Sequence, residues 1–441
     1  MREFSIQSRQ VLLESRTPPR PALIRVKEGK IEGVLEKLVN DPTFDLGDNL
    51  LMPGIVETHA HINEPGRTEW EGFETATKAA AAGGITTIVD MPLNSIPPTT
   101  SIDSLRKKNQ AASGKCFIDY GFWGGLVRDN LKELDPMVDA GVCGFKAFLI
   151  DSGVPEFAWV REAELRAGME KLARLRVPLL AHAEVDLGPE DGPQDPRAYG
   201  HYLATRPPKW EVEAIRLLVR LCRETGCAVH IVHLSASDAL CDIAAAKKEG
   251  LPVTVETCPH YLTFSAENIP EGATSFKCAP PIRGEKNREA LWKGLEQGVI
   301  DLVVSDHSPC TPSLKRLDSG NFDQAWGGIA GLQFSLSVTW SEMNRRGIPL
   351  ERIAAWMMER PAKLAGLENR KGKIAVGLDA DLVEFDSRTE FQVAEGEVLH
   401  RHRLTPYLNR HLKGRVTRTW LRGELVFDRG NFPSAPLGKE I

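Results

Sequence analysis

Between residues 55 and 309 the chain alternates short apolar runs with stretches in which apolar side chains recur every three or four positions. The runs are GIVETHAH (54–61), TTIVDMP (86–92), DYGFWGG (119–125), GFKAFLI (144–150), VPLLAHAE (177–184), AVHIVHLS (228–235), VTVETCPHYL (253–262) and DLVVSDHSP (301–309). Each is short, rich in branched residues and bounded by Gly, Pro, Asp or Ser, as a strand buried on both faces in a parallel sheet should be. Between them, WEGFETATKAAAAGG, REAELRAGMEKLARLR, EVEAIRLLVRLCRETG, ASDALCDIAAAKKEG and NREALWKGLEQG carry helical periodicity, and most end in Gly. Eight strand–helix units in a row predict an α/β fold closed as a (β/α)8 barrel. An open doubly wound sheet is the competing topology.

The chain ends follow a different pattern. ALIRVKEGKIEGV predicts two short strands around a Glu-Gly turn, and TRTWLRGELVFDRG predicts a hairpin around an Arg-Gly turn. Both ends are expected to pair into one small β-sandwich, residues 1–52 with 373–441, beside a barrel of residues 53–372. The Pro-rich SRTPPRP (15–21) reads as a loop joining terminal strands.

Composition adds exclusions. The 441 residues are 42% apolar and 26% charged, with a net charge of −5 and no long run of one sign. That argues against a nucleic-acid groove or an anionic membrane surface as partner. No run approaches a membrane span, and MREFSIQSRQVLLESR has no apolar signal core. Eight scattered cysteines include no Cys-x-x-Cys pair, so they read as reduced thiols in a cytoplasmic protein.

The candidate chemistry sits at the C-terminal ends of the predicted strands, where barrel active sites lie. His59 and His61 end the first run, Lys146 lies in the fourth, His182 in the fifth, His233 in the sixth and Asp306 in the eighth. Singly, each has a plain structural reading: a hydrogen-bonded core histidine, a loop-capping aspartate, a buried lysine in an ion pair. Together, six polar groups at one end of apolar strands would each cost several kcal/mol if buried unpaired, about 2–7 by transfer data. A shared metal centre removes that cost and favours the barrel over the open sheet. Lys146 cannot ligate as an ammonium. Burial makes its neutral amine accessible, and a neutral amine adds carbon dioxide to give an anionic carbamate. Such a bridge would offset the charge of two adjacent divalent ions.

His59-Ala-His61, GFKAFLI, HAE, VHLS, ETCPHYL and SDHSP, in this order, resemble the binuclear amidohydrolase superfamily, and KGKIAVGLDADLVEFD resembles its C-terminal signature. The resemblance implies a TIM barrel flanked by a β-sandwich, two divalent metals, usually zinc, and a carboxylated Lys146. It assigns His59, His61, Lys146 and Asp306 to one metal, and Lys146, His182 and His233 to the other. It implies a metal-assisted hydrolysis in which Asp306 moves the proton, and a homo-oligomer, a tetramer by analogy. Within the superfamily, HINEPGRTEWEGFETATKAAAAGGITTIVDMPLNS, GFKAFLIDSGVPEF and FKCAPPIRGEKNREALW are most similar to the allantoinase family, whose members open the hydantoin ring of allantoin to allantoate. Related dihydroorotases carry Arg where this chain has Asn63; hydantoinases and dihydropyrimidinases carry Tyr where it has Asp151.

Candidate substrate contacts are Asn94, Asp151 and Ala279, with the Gly-rich AWGGIAGLQ (325–333) as a backbone approach to the ligand. Asn94 also reads as a turn residue, and 325–333 as a flexible loop. His230, three before His233, is expected to face away as a structural residue, and His260 to orient its neighbours. His201, His400, His402 and His411 are expected to face solvent. Three alternatives stay open: a hydantoinase, dihydropyrimidinase or dihydroorotase-like ring opener; a mononuclear deaminase, which has no use for Lys146; and a non-catalytic assembly protein of the same fold.

Overall fold

The computed structural model describes residues 3–15 and 17–441. Five strands come first: β1 (Phe4–Val11), β2 (Arg20–Lys27), β3 (Lys30–Leu35), β4 (Phe44–Asp45) and β5 (Leu50–Pro53). The barrel then runs β6 (Ile55–Ala60), α1 (Phe73–Ala82), β7 (Ile85–Asp90), α2 (Ile102–Ala112), β8 (Asp119–Phe122), β9 (Gly124–Gly125), α3 (Leu134–Asp139) and β10 (Phe145–Phe148). It continues with α4 (Glu162–Leu175), β11 (Leu179–His182), α5 (Tyr199–Thr205), α6 (Pro208–Thr225), β12 (Val229–Ile231), α7 (Leu240–Lys248), β13 (Val253–Thr257), α8 (Pro259–Thr263), α9 (Glu285–Glu296) and β14 (Leu302–Val303). After α10 (Ser335–Arg346) come three long or hairpin strands, β15 (Leu382–Gln392), β16 (His411–Leu421) and β17 (Glu424–Asp428).

The barrel strands are parallel throughout, β6-β7-β8 in one ladder and β9 to β14 in another. The two ladders share one stave. Trp123 N–H donates to Asp90 O on one side (3.0 Å), and Gly124 N–H donates to Gly144 O on the other (2.9 Å), so β8 and β9 together make the third strand. Closure comes from the bridge between Ala60 and His307, where His61 N–H donates to His307 O at 2.7 Å. A closed barrel has no sheet edge, and its strands are buried on both faces; β6, β7, β8, β10 and β11 are buried at every position. The open-sheet alternative is thereby excluded.

Three runs are shorter as strands than their apolar length predicts. The seventh stops at Thr257, because Pro259 supplies the first turn of α8 instead. The sixth and eighth stop at Ile231 and Val303, short of His233 (φ 39°) and Asp306 (φ 42°), whose left-handed backbones cannot continue a ladder.

Both chain ends meet in one eight-stranded sheet of order β17-β16-β15-β5-β1-β2-β3, with β4 on β1. Its own core, which includes Ile6, Ile24, Val26, Leu51, Leu382 and Trp420, makes it the small β-sandwich beside the barrel. Two-residue turns close its hairpins: Glu28-Gly29 (φ 52° and 78°) and Arg422-Gly423 (φ 46° and 76°), both with the positive φ pair that matches strand twist. Within the loop 15–21 between β1 and β2, Arg16 lies outside the described residues.

A buried ion cluster ties the two parts. Lys371 Nζ donates to Asp119 at the start of β8 (2.9 Å) and to Asp381 just before β15 (2.5 Å), with Asp379 at 3.5 Å. Arg422 from the second hairpin also pairs with Asp119. The three carboxylates could hold a cation by position, but the lysine already fills that role. Replacing Lys371 by Met leaves three buried acids sharing only peripheral partners. The expected result is a loss of about 3–5 kcal/mol in a denaturant melt, with metal content of the folded protein unchanged.

Candidate metal centre

All six candidate ligands stand at the same end of the barrel, lining one cavity together with Asn94, Asp151 and Ala279. His59 belongs to β6 and His61 follows it; Lys146 lies in β10; His182 ends β11; His233 and Asp306 sit in the turns after β12 and β14. Each of the six is at most 6% exposed. His233, Asp306 and Asn94 (φ 69°) adopt left-handed backbone that costs about 1–2 kcal/mol per residue. Non-glycine residues kept there by the surrounding structure cluster at functional sites.

Two groups of ligand atoms form. In the first, His59 Nε2 lies 3.2 Å and His61 Nε2 3.6 Å from Asp306 Oδ1, and the three residues hold one ligand atom each within 4.8 Å of one another. In the second, His182 Nδ1 lies 3.0 Å from His233 Nε2. Lys146 is close enough to feel the Asp306 charge and to act on His182 and His233. Phe148 stacks on His182 with ring centres 4.5 Å apart, fixing the imidazole plane.

Two buried carboxylates decide which imidazole nitrogens carry protons. Glu256 meets His59 Nδ1 and, at 2.8 Å, His230 Nε2. Burial would raise its carboxyl, but His59 and His230 outweigh that and hold it well below the usual range. An ionised carboxylate only accepts, so His59 donates from Nδ1 and Nε2 is the nitrogen left facing Asp306. Glu184 does the same to His182: it accepts from Nε2 at 2.7 Å, leaving the Nδ1 lone pair facing His233. Burial lowers the pKa values of His61 and His182, and that of His233 far more. It lowers that of Lys146 to about 7. Lone pairs about 3 Å apart, in a pocket that resists protonation, form a donor set suited to a divalent cation.

A rival grouping, Cys258, His260 and Asp306, also brings three ligand atoms within 4.8 Å. Burial pushes the Cys258 thiol far up, away from the thiolate a metal needs. His260 is buried with neither ring nitrogen bonded among the described residues, and burial takes it to about 4. The His59, His61, Asp306 set is therefore the better seat.

Two histidines differ from their sequence reading, and three glutamates were missed. His230 does not face away: the strand ends at Ile231, alternation lapses, and its ring joins Thr254 and Glu256 beneath the centre. His400 is not at the surface but 3% exposed, packed on His307 at 4.8 Å. Glu57, Glu184 and Glu256 received no role from sequence, although Glu57 and Glu184 lie in runs that carry a candidate ligand and Glu256 in the run that carries His260. Glu57 accepts from the backbones of His59 (2.9 Å) and Ser305 (3.0 Å), binding the first stave to the loop that carries Asp306. For Glu57 and Glu184, a carboxylate two residues from a candidate histidine was the available signal; Glu256 has no histidine that close.

Comparison with known proteins agrees with this barrel and site. The amidohydrolase family matches over residues 50–426. The chain is 49% identical to an allantoinase of Streptomyces avermitilis over 445 residues, covering 99% of this chain and 98% of that one. It is 50% identical to an Arabidopsis thaliana allantoinase, covering 90% and 81%, and 43% identical to one from Saccharomyces cerevisiae, covering 99% and 98%. Among solved structures, an L-hydantoinase (dihydropyrimidinase) from Arthrobacter aurescens superposes with a TM-score of 0.90 at 30% identity, covering 99% of each chain. The chain belongs to the amidohydrolase family, and it is a hydrolase of that family's barrel-plus-sandwich architecture.

Glu256→Gln tests the lone-pair argument. The amide can donate as well as accept, so His59 loses its fixed tautomer. Zinc affinity, titrated against a competing chelator, is expected to fall about 10- to 100-fold. Unchanged affinity would leave Glu256 as packing only.

Proposed function

We propose that this chain hydrolyses the hydantoin ring of allantoin to give allantoate, with residues 53–372 as the catalytic unit and 1–52 plus 373–441 as its β-sandwich. The observation that carries the reading is the convergence of six ligand-competent side chains in one cavity. Full-length similarity to allantoinases supplies the substrate. His59, His61, Lys146 and Asp306 would hold one divalent ion and Lys146, His182 and His233 a second, zinc in both places, with Lys146 as its carbamate. When bound, the ions supply Lewis acidity at the ring carbonyl and lower the pKa of water to about 7.

The chain's own residues do the rest. Asp306 points Oδ1 at His59 and His61, and its Oδ2 has no hydrogen bond among the described residues. That free oxygen takes the proton of the attacking water and passes it to the ring nitrogen as the C–N bond breaks. Asn94, whose amide lies 3.4 Å from His61 Nδ1, and the backbones at Ala279 and Gly327 orient the ring from the cavity wall. Lys146 is suited to carboxylation because burial brings its amine to about 7, so a large fraction is neutral at physiological pH.

The structural likeness to hydantoinases favours one second reading, a broader ring opener acting on hydantoins or dihydropyrimidines. Asp151, in place of a phenol donor, argues against it. A cytoplasmic setting is supported by eight cysteines that are all unpaired, and among the described residues no helix is long and apolar enough to cross a membrane. A homo-tetramer is part of the same reading.

A panel of racemic allantoin, hydantoin, dihydrouracil and dihydroorotate on metal-quantified protein tests the substrate; allantoin should give the highest kcat/KM. Asp306→Asn is expected to lower kcat at least about 100-fold. Near-normal turnover would remove Asp306 from the proton path. Lys146→Ala should hold about one metal per chain instead of two. In the natural protein, recovery from the metal-free state at a fixed concentration of dissolved carbon dioxide should quicken as pH rises through 7, because only the neutral amine adds it. Two metals at full occupancy in the alanine variant would refute the bridge.

A further inference from the structure

We propose that Arg206 and Asp151 form a polar clamp for the ureido tail of the substrate, so that a ring bearing this neutral tail is selected over a bare or acid-bearing ring. This rests on the allantoin reading above and adds a residue to it. Arg206 lies in the segment between α5 and α6, after the fifth barrel strand; Asp151 follows the fourth. Both line the cavity that holds the candidate ligands. Arg206 keeps 23% of its side chain exposed, and one nitrogen, Nη1, pairs with the buried Glu184. Among the described residues no acceptor meets its Nε or Nη2. Asp151 accepts from Gly153 N–H through Oδ1 at 3.1 Å, and its Oδ2 has no protein partner among the described residues.

The cavity therefore offers anchored donors on one loop and a free acceptor on the next. A ureido group matches both: its carbonyl oxygen takes the guanidinium N–H, and its terminal amide donates to the carboxylate. Charge sharpens the choice. Glu184 already compensates the Arg206 charge, so a carboxylate-bearing tail would find no surplus cation and would face Asp151. An unsubstituted hydantoin would make neither contact and so would bind without the two hydrogen bonds that the tail supplies. Arg206 is distinct from the metal ligands, though its bond to Glu184 places it one step from His182.

The test compares the allantoin KM with the Ki of unsubstituted hydantoin as a competitor, on metal-loaded protein. Arg206→Met should raise the allantoin KM about 10- to 100-fold, the scale of a lost hydrogen bond to a charged group. It should shift the hydantoin Ki at least about tenfold less. Asp151→Asn should show the same selectivity in smaller measure, and Arg206→Lys should recover part of the loss. Metal per chain is measured on every variant. Equal shifts in KM and Ki, or a lost metal in Arg206→Lys, would mean that Arg206 acts through Glu184 on His182 and would overturn the clamp alone. A natural protein that opens hydantoin but not allantoin would instead overturn the reaction proposed above, and the clamp with it.

Discussion

The centre depends on two buried carboxylates that each fix an imidazole. Glu256 and Glu184 pin the outward nitrogens of His59 and His182, and the opposite nitrogens have nowhere to aim but inward. Without these anchors the same histidines would be free to rotate or change tautomer, and their convergence would have no chemical meaning. Each anchor also reaches further. Glu256 joins the first, sixth and seventh staves through His59, His230 and the His233 backbone. Glu184 extends to Arg206 and so links His182 to the cavity wall.

These anchors work because the barrel is closed. The bond from His61 N–H to His307 O joins the first and last staves next to two of the candidate ligands. Glu57 reinforces the seam by accepting from both His59 and Ser305. The strands stop early at His233 and Asp306, where left-handed backbone turns the chain and carries the side chains over the barrel mouth. Rigid strands set the position, and strained turns set the direction.

The loops over the mouth are held by two lysines that act on backbone, Lys315 buried and Lys277 half-buried. Lys315 donates to the carbonyls of Lys277 and Trp326, each at 3.0 Å, and to that of Gly328; Lys277 donates to Ala325 O at 2.7 Å. The segments carrying Ala279 and Gly327 are thereby locked together along one cavity wall. Gly328 suits this wall because the backbone must come close: a Cβ there would fall 2.1 Å from Ser308 O. The Gly-rich segment thus lines the cavity with its backbone tied by these bonds.

The sequence by itself determined the barrel, the sandwich and the layer at which six ligand candidates lie. Apolar runs of strand length spaced by helical stretches encode those features locally, and polar residues at strand ends stand out against them. It did not reveal Glu256 or Arg206, nor the buried setting of His400. Such roles arise from partners 22 to 197 positions away, as in Arg206 with Glu184 and His59 with Glu256. Nor could alternation place His230, because the strand break after Ile231 is set by tertiary packing. Local pattern fixes which residues can be brought to one end of a barrel; the proton positions, strand endings and long-range charge pairs that make them a site exist only once the staves have closed.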